Sequence, residues 1–453
     1  MFDCMAQRVW RVIVVSWHFP PSEEIGGKIV WRLVKHLALL GCDVRVVAPP
    51  VTEINHRDDD YANALPSGLR VIRTSIRPNV RSAILDLRNR LLTPRKTQSA
   101  APSSPGDPAP QRKGLRELFG KLLAISDHRD RWIKPASRCI RDTLAAEPAD
   151  LVLSVSPVFQ AHLAVLSARP GLQGIPWLAW FHDPGAHYSV AAGRIAHLSR
   201  WERHILRRRA VRERRAIEKM TRLLVTTRRL AEDYIALLPH LRTPLVVPCG
   251  FDADEFPRAP LRDDHHKLVI VHVGTIYYGR TPRPIVESLA RLKAMGTYKS
   301  GEIEMRFVGR LENAEGKQLT TMIEDLNMGD VITFVPQVPQ ADALRIIGDA
   351  DVGLVLAENQ PTQVPAKIFE YIGLRRPVLA LSGGATHDLV RENHIGYACD
   401  REGLDDAFSA LIADWRLNGL SAFLPDLEAA ARRYDIAAIA ENLVKQIAVE
   451  AGH

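Results

Sequence analysis

Short apolar runs, separated by stretches of helical spacing, recur along most of this chain, and that alternation restricts the fold more than any other feature of the sequence. Val9 to Val15, Val44 to Ala48, Leu69 to Thr74, Leu151 to Val155, Trp177 to Phe181 and Leu223 to Thr226 form one set. Val269 to Val273, Met305 to Val308, Val331 to Phe334, Val352 to Leu356 and Val378 to Leu381 form another. Strands that are apolar on both faces belong in parallel sheets covered by helices on each side. Parallel neighbours need crossovers, and no hairpin signal interrupts the alternation. Lys28 to Leu40 carries Ile29, Val30, Leu33, Val34, Leu37 and Leu40, the spacing of an amphipathic helix that Gly41 ends. The chain therefore opens with a βαβ unit of right-handed crossover. The predicted fold class is α/β, with two doubly wound, Rossmann-like domains facing across a cleft.

At 453 residues the chain is too long for one ordinary core, which agrees with two domains. Val246 to Phe256, VVPCGFDADEF, has the Pro, Gly and Asp density of a connection and separates the two sets of strands. The predicted organisation is an N-terminal domain over 1–247, a hinge over 248–262 and a second domain over 263–430. A last helical segment over 431–453 has packing back on the first domain as one placement. Thr93 to Gly114, TPRKTQSAAPSSPGDPAPQRKG, reads as a flexible insertion. Leu115, Leu118, Phe119, Leu122 and Leu123 beyond it make a helical apolar stripe, suited to the core or to a membrane interface.

The net charge of +8 points to an anionic partner, and it is concentrated between Arg194 and Arg229, where thirteen Lys and Arg residues oppose three Glu. A solvated helix face, a stripe for anionic lipid and a nucleic-acid stripe are the three readings. Nucleic acid ranks last, because no helix-turn-helix, zinc or aromatic-platform signature accompanies the charge. Five scattered cysteines without CxxC pairs imply a reducing cytoplasm and no structural zinc. No segment has the length of a membrane span and nothing near the start resembles a signal peptide. The expected location is cytoplasmic, with peripheral attachment to the inner membrane face through Arg194 to Arg229. Asp58 to Asp60 and Asp263 to His266 read as solvated loops, so no metal is expected. The phosphate loop GxxxxGK[ST] and the G-x-S-x-G elbow are both missing, which excludes an ATPase of that type and a hydrolase elbow.

In two parallel-sheet domains the chemistry belongs in the loops at the carboxyl ends of the strands. Val364 to Leu381, VPAKIFEYIGLRRPVLAL, is the most informative of these segments. Pro365 can open a helix whose first amides favour phosphate, and Lys367 adds a point charge there. Glu370, one turn later on the same face, can accept two ribose hydroxyls, and Gly373 ends the helix before a buried strand. After the first strand, Gly26 and Gly27 stand before a helix, where the backbone can approach a phosphate or sugar oxygen closely. His182 and Asp183 emerge at the tip of Trp177 to Phe181 as candidate catalytic or substrate-contacting groups. Gly274 ends the first strand of the second domain, Arg280 precedes a helix and can fork onto a diphosphate, and Arg310 closes FVGR beside the same cleft.

These segments, FPPSEEIGGK, FHDP, VPCGFD, HVGTIYYGR, FVGR and VPAKIFEYIGLRRPVLAL, together resemble the GT-B glycosyltransferases, and most closely retaining glycosyltransferase family four. The resemblance spans most of the chain. It implies that Glu370 matches the family's second glutamate, which contacts the nucleotide ribose. Thr362 stands where the first glutamate would contact the donor sugar, and Gly274-Thr275 stands in place of the usual Gly-Arg. Arg280 and Lys367 are then the phosphate ligands, with Gly26 and Gly27 under the diphosphate and His182 near the anomeric carbon. The implied reaction moves a sugar from a nucleoside-diphosphate donor to an acceptor hydroxyl with retention, without an enzymic nucleophile, cofactor or metal. A saccharide or a polyprenyl-linked saccharide suits the acceptor side, within cell-surface glycan biosynthesis. A degenerate nucleotide-sugar binder and a UDP-sugar 2-epimerase are the competing functions on the same architecture.

Overall fold

The computed structural model of the chain describes residues 9–54, 66, 69–77, 128–256, 266–276, 280–310 and 315–450. The insertion over 93–114, the apolar stripe beyond it and Asp58 to Asp60 lie outside the described residues. Seven parallel strands, β1 (Arg11–Ser16), β2 (Asp43–Ala48), β3 (Arg70–Arg73), β4 (Leu151–Val155), β5 (Trp177–Phe181), β6 (Arg222–Val225) and β7 (Leu245–Val246), form the first sheet in the order β3-β2-β1-β4-β5-β6-β7. Six more, β8 (Leu268–Val273), β9 (Ile303–Val308), β10 (Ile332–Val335), β11 (Val352–Ala357), β12 (Val378–Ser382) and β13 (Gly396–Cys399), form the second in the order β10-β9-β8-β11-β12-β13. All the pairings are parallel, so the two doubly wound sheets read from the apolar runs are present.

In the first domain the sheet is flanked by α1 (Ile25–Leu39), α2 (Asp130–Ala146), α3 (Gln160–Ala168), α4 (Ala186–Ala191), α5 (Arg200–Ile217) and α6 (Arg228–Leu237). Around the second sheet lie α7 (Arg283–Ala294), α8 (Glu315–Asp325), α9 (Gln340–Gly348), α10 (Lys367–Gly373), α11 (Gly384–Glu392) and α12 (Leu404–Asn418), followed by α13 (Leu424–Tyr434) and α14 (Ile436–Glu450). The final helix leaves the second domain and packs on α1, with the Glu450 carboxylate buried between Arg222 (3.0 Å) and Arg242 (2.6 Å) of the first domain. One apolar cluster crosses the junction, running from Ile29 and Val34 through Phe251 and Phe256 to Ile372, Tyr434 and Ile439.

The chain crosses between domains twice, and the two crossings lie side by side. Phe251 N–H donates to Tyr434 O at 3.1 Å and Ile436 N–H to Phe251 O at 2.8 Å. Gly250 makes this possible. Its φ is +64°, and a Cβ there would come within 2.7 Å of both Tyr434 O and the Ile439 Cδ1 methyl.

Three local expectations change. The first helix begins at Ile25, so Gly26 and Gly27 lie inside its first turn rather than before it. Gly373 does not supply the left-handed residue after α10. Arg375 does, at φ 55°, while Gly373 is small because a Cβ would sit 2.9 Å from the Phe251 ring. Strands β7 and β13 had no clear sequence signal: β7 has two residues, and β13 is an edge strand whose first three residues are only half-buried.

Candidate functional site

Each sheet reverses its strand order once, between β1 and β4 and between β8 and β11, and ligands of doubly wound sheets bind in the crevice outside those switch points. In the first domain that crevice holds the start of α1 and the loop after β4. Gly26 packs so closely on Pro157 that a Cβ would lie 2.6 Å from the ring carbon Cδ, and at Gly27 a Cβ would lie 3.2 Å from Ser22 O. His18 covers both glycines, 3.9 and 3.5 Å from those positions. Burial, aided by the Arg129 charge, lowers its imidazole to about 4, so it is neutral at pH 7.

His182 follows β5 directly. Its backbone N–H donates to Ser156 Oγ at 2.7 Å, its carbonyl accepts from Thr226 Oγ1 at 3.1 Å, and the ring meets Trp180 edge-on at 4.4 Å. Those three contacts fix the ring. Its Nε2 is buried and carries no hydrogen bond, and burial lowers the imidazole to about 3. His182 is therefore a neutral hydrogen-bonding group rather than a cation. Asp183, the next residue, is solvent-accessible and accepts a hydrogen bond from Gln363 Nε2 of the second domain.

In the second crevice Lys367 Nζ is 3.0 Å from His272 Nε2. His272 lies buried in β8, and its Nδ1 is 2.9 Å from Leu354 O. A carbonyl can only accept, so Nδ1 carries the proton and the Nε2 lone pair faces the lysine. Burial holds His272 well below its ordinary value. Burial also pushes Lys367 down to about 7, assisted by the nearby Arg280 charge and opposed by Glu370. Gly274, at φ +121°, leaves room for the lysine, since a Cβ there would be 3.1 Å from Nζ.

Glu370 is raised above its ordinary range by burial, against the pull of Arg32, Lys367 and Lys28. Among the described residues none hydrogen-bonds its carboxylate. Thr275 is half-buried in the turn after Gly274, and Arg310 is exposed at the end of β9, its carbonyl accepting from Ile276 N–H at 3.0 Å. The structure thus groups Gly274, Arg280, Lys367 and Glu370, and it sets Gly26, Gly27, His182 and Asp183 on the opposing face. Lys28 reaches Gln340 and Gln363 reaches Asp183 across the gap. Thr362, next to Gln363, is buried at a domain contact, its carbonyl accepting from Thr227 Oγ1 at 2.6 Å, on the wall of an interdomain groove of about 810 Å³.

His18, His272 and Gln363 were not picked out from the sequence. A histidine inside the otherwise apolar run LVIVHV was a visible signal for His272. Gln363 had none, because its role exists only once the domains face each other. The ion pair of Arg32, 2% exposed, with Glu255 (2.6 and 3.1 Å) was equally silent.

The basic stretch from Arg194 to Arg229 resolves into two parts. Arg222, Arg228 and Arg229 pair with Glu450, Glu392 and Asp388, outside the stretch. Along α5, Arg207, Arg208, Arg209, Arg214 and Arg215 are exposed while Ala210, Glu213, Ala216 and Ile217 are buried. Among the described residues no helix is long and apolar enough to cross a membrane. One group among them, His36, Asp252 and Asp254, brings three ligand-type atoms within 4.8 Å of one another. The Lys35 ammonium binds both carboxylates there, at 2.9 and 2.6 Å, and would repel a cation.

Residues 254–433 match the family model described as glycosyl transferases group 1. The D-inositol 3-phosphate glycosyltransferase of Mycobacterium sp. (strain KMS) is 27% identical over 208 residues, which is 42% of this chain and 45% of that protein. The match thus spans less than half the relative's length. Solved structures of the same shape include the sucrose-phosphate synthase of Thermosynechococcus elongatus, with TM-score 0.61, 18% identity and coverage of 96% of this chain and 98% of that one. Anabaena HepE, solved in complex with UDP, has TM-score 0.61 and 13% identity, over 97% of this chain and 100% of its own. The resemblance to GT-B glycosyltransferases read from the motifs is borne out by the family-model match over residues 254–433 and, in fold, over the whole chain.

Proposed function

We propose that this chain, GT-B in fold and matching the glycosyl transferases group 1 family over its second domain, transfers a sugar from a nucleoside-diphosphate donor to an acceptor hydroxyl. The observation that carries this reading is the grouping of Lys367, its His272 partner, Gly274 and the unbonded Glu370 carboxylate at the switch point of the second sheet. Gly274 opens backbone to a diphosphate, Lys367 and Arg280 offset its charge, and Glu370 accepts the ribose hydroxyls. HepE, of the same fold, was solved with UDP, which favours a diphosphate nucleotide as donor.

Catalysis on this reading is electrostatic. The cations stabilise the departing diphosphate, so the reaction proceeds without a divalent metal, and His182 orients the sugar through its unpaired Nε2. Asp183 and Gln363 close the gap from either side and help to exclude water, which suppresses donor hydrolysis. Transfer occurs with retention. The acceptor is a saccharide or lipid-linked saccharide of cell-surface glycan biosynthesis, approached from the cytoplasmic membrane face along the exposed arginines of α5.

A thermal-shift panel of nucleoside diphosphates and their sugars tests the donor site, since a ligand that binds only the folded state raises Tm by mass action. A rise with one base in both forms is expected, unchanged by EDTA. No rise with any of them refutes the donor reading. NMR of the anomeric product tests retention, and sedimentation with anionic vesicles tests the membrane approach.

A further inference from the structure

The turn after β5 is held by polar contacts that the donor site does not explain. Only Pro184 and Gly185 separate Asp183 from α4, a helix of six residues that buries one side chain, Tyr188. A helix this short does not hold itself, because it has few internal hydrogen bonds to offset its ordering. Its place is set from outside, by a carboxyl from each of two neighbouring helices.

Glu213 of α5 caps it. The first amides of a helix lack partners within it and carry its positive end, and Gly185 at the N-cap has no side chain to offer them. Glu213 Oε2 accepts the His187 N–H at 3.2 Å instead. Gly185 has φ −83°, a value open to any residue, so space rather than conformation demands the glycine: a Cβ there would lie 1.7 Å from Glu213 Oε1. From α6, Asp233 Oδ2 accepts the Tyr188 O–H at 2.6 Å, and the Tyr234 ring packs on Tyr188 at 6.1 Å.

Glu213 is 2% exposed, and its Oε1 has no hydrogen bond among the described residues. Burying a half-bonded carboxyl costs stability, and an apolar side chain of similar size would fill the space without that cost. What Glu213 supplies is the placement of α4. His182 has fixtures of its own in Ser156, Thr226 and Trp180. Asp183 has none: among the described residues no group of the first domain hydrogen-bonds its exposed carboxylate, which is bonded to Gln363 across the gap. Its position therefore follows from where α4 is held.

Resting on the glycosyltransferase reading above, we propose that Glu213 and Asp233 are positioning residues: by clamping α4 they set Asp183 within reach of Gln363, and so govern how the two domains close over a nucleotide sugar.

The experiment is NMR of the full chain carrying isotope-labelled glutamine side-chain amides, without nucleotide. Loss of a signal in Gln363→Ala assigns that residue, and Asp183→Ala gives the position of the Gln363 signal without its bond. Glu213→Ala should move the signal to the Asp183→Ala position, and adding Glu213→Ala to Asp183→Ala should move it no further. Glu213→Gln, which keeps an acceptor for the His187 N–H, should leave it where the wild type has it. A folded Glu213→Ala protein with the Gln363 signal unmoved overturns the proposal, as does a Glu213→Gln protein that moves it equally far. If Glu213→Ala does not fold, Tyr188→Phe, which deletes only the hydroxyl that Asp233 receives, should move the signal in the same direction, and an unmoved signal there is equally decisive against it. UDP titration of the wild type keeps the two readings apart: no binding refutes the glycosyltransferase reading, whereas the Gln363 signal judges the clamp without nucleotide.

Discussion

Lys367 should take up a proton when the donor binds. In the empty site its ammonium titrates at about 7, held down mainly by burial and then by Arg280. His272 cannot share the charge, since its own imidazole stays neutral. A diphosphate beside Nζ favours the charged lysine and raises its pKa. Below 7 the lysine is already protonated and nothing is gained. Above 7 each binding event must draw a proton from solvent, so affinity falls as pH rises, by about tenfold, or ~1.4 kcal/mol, per pH unit until the bound-state pKa is reached. At pH 8 about nine-tenths of the empty sites are deprotonated, so the uptake approaches about one proton per site. Calorimetry of UDP binding in two buffers of different ionisation enthalpy measures that number directly. Lys367→Arg keeps the charge at all these pH values and should abolish the uptake. Equal binding enthalpies in both buffers at pH 8, or an affinity flat from pH 7.5 to 8.5, would refute the reasoning.

Glu370→Gln keeps the shape of α10 but replaces an ionic acceptor by a weaker one, so nucleotide affinity should fall by about tenfold or more in the same titration, with Tm little changed. Gly185→Ala would place a Cβ 1.7 Å from Glu213 Oε1, an overlap between α4 and α5 that should cost about 1–3 kcal/mol in urea unfolding and lower activity by displacing the His182–Asp183 turn. Glu213 also predicts a pH effect on stability. Between the ordinary carboxylate range and about 7 the folded state keeps a proton that the unfolded chain releases, so stability is lost as pH rises through that window. Glu213→Gln cannot ionise and should show a flatter Tm profile across it by calorimetry.

The sheets were legible in the sequence because β1, β4, β5, β8, β11 and β12 are buried on both faces, and such strands leave contiguous apolar runs. Edge strands such as β13, half-exposed, leave no such record. Lys367 and Glu370 could be paired from spacing because three residues on a helix share a face. The contact of Gln363 with Asp183 was not legible, since it exists only once the two domains face each other. The role of Gly26 and Gly27 was hidden for a similar reason. The helix takes in both glycines, and the close packing that demands Gly26 comes from Pro157, more than a hundred residues away.

The return of the last helix to the first domain bears on how the chain is made. Ile436, Ile439, Leu443 and Ile447 belong to the cluster that includes Ile29 and Val34 of α1, and Glu450 answers Arg222 and Arg242. During synthesis the strands of the first domain emerge early, yet an apolar flank of α1 stays uncovered until residues 436–450 arrive. Its sheet can assemble well before that surface is covered. A nascent chain stopped before Ile436 would carry a complete set of strands and an adhesive flank, and it would be a natural client for chaperones.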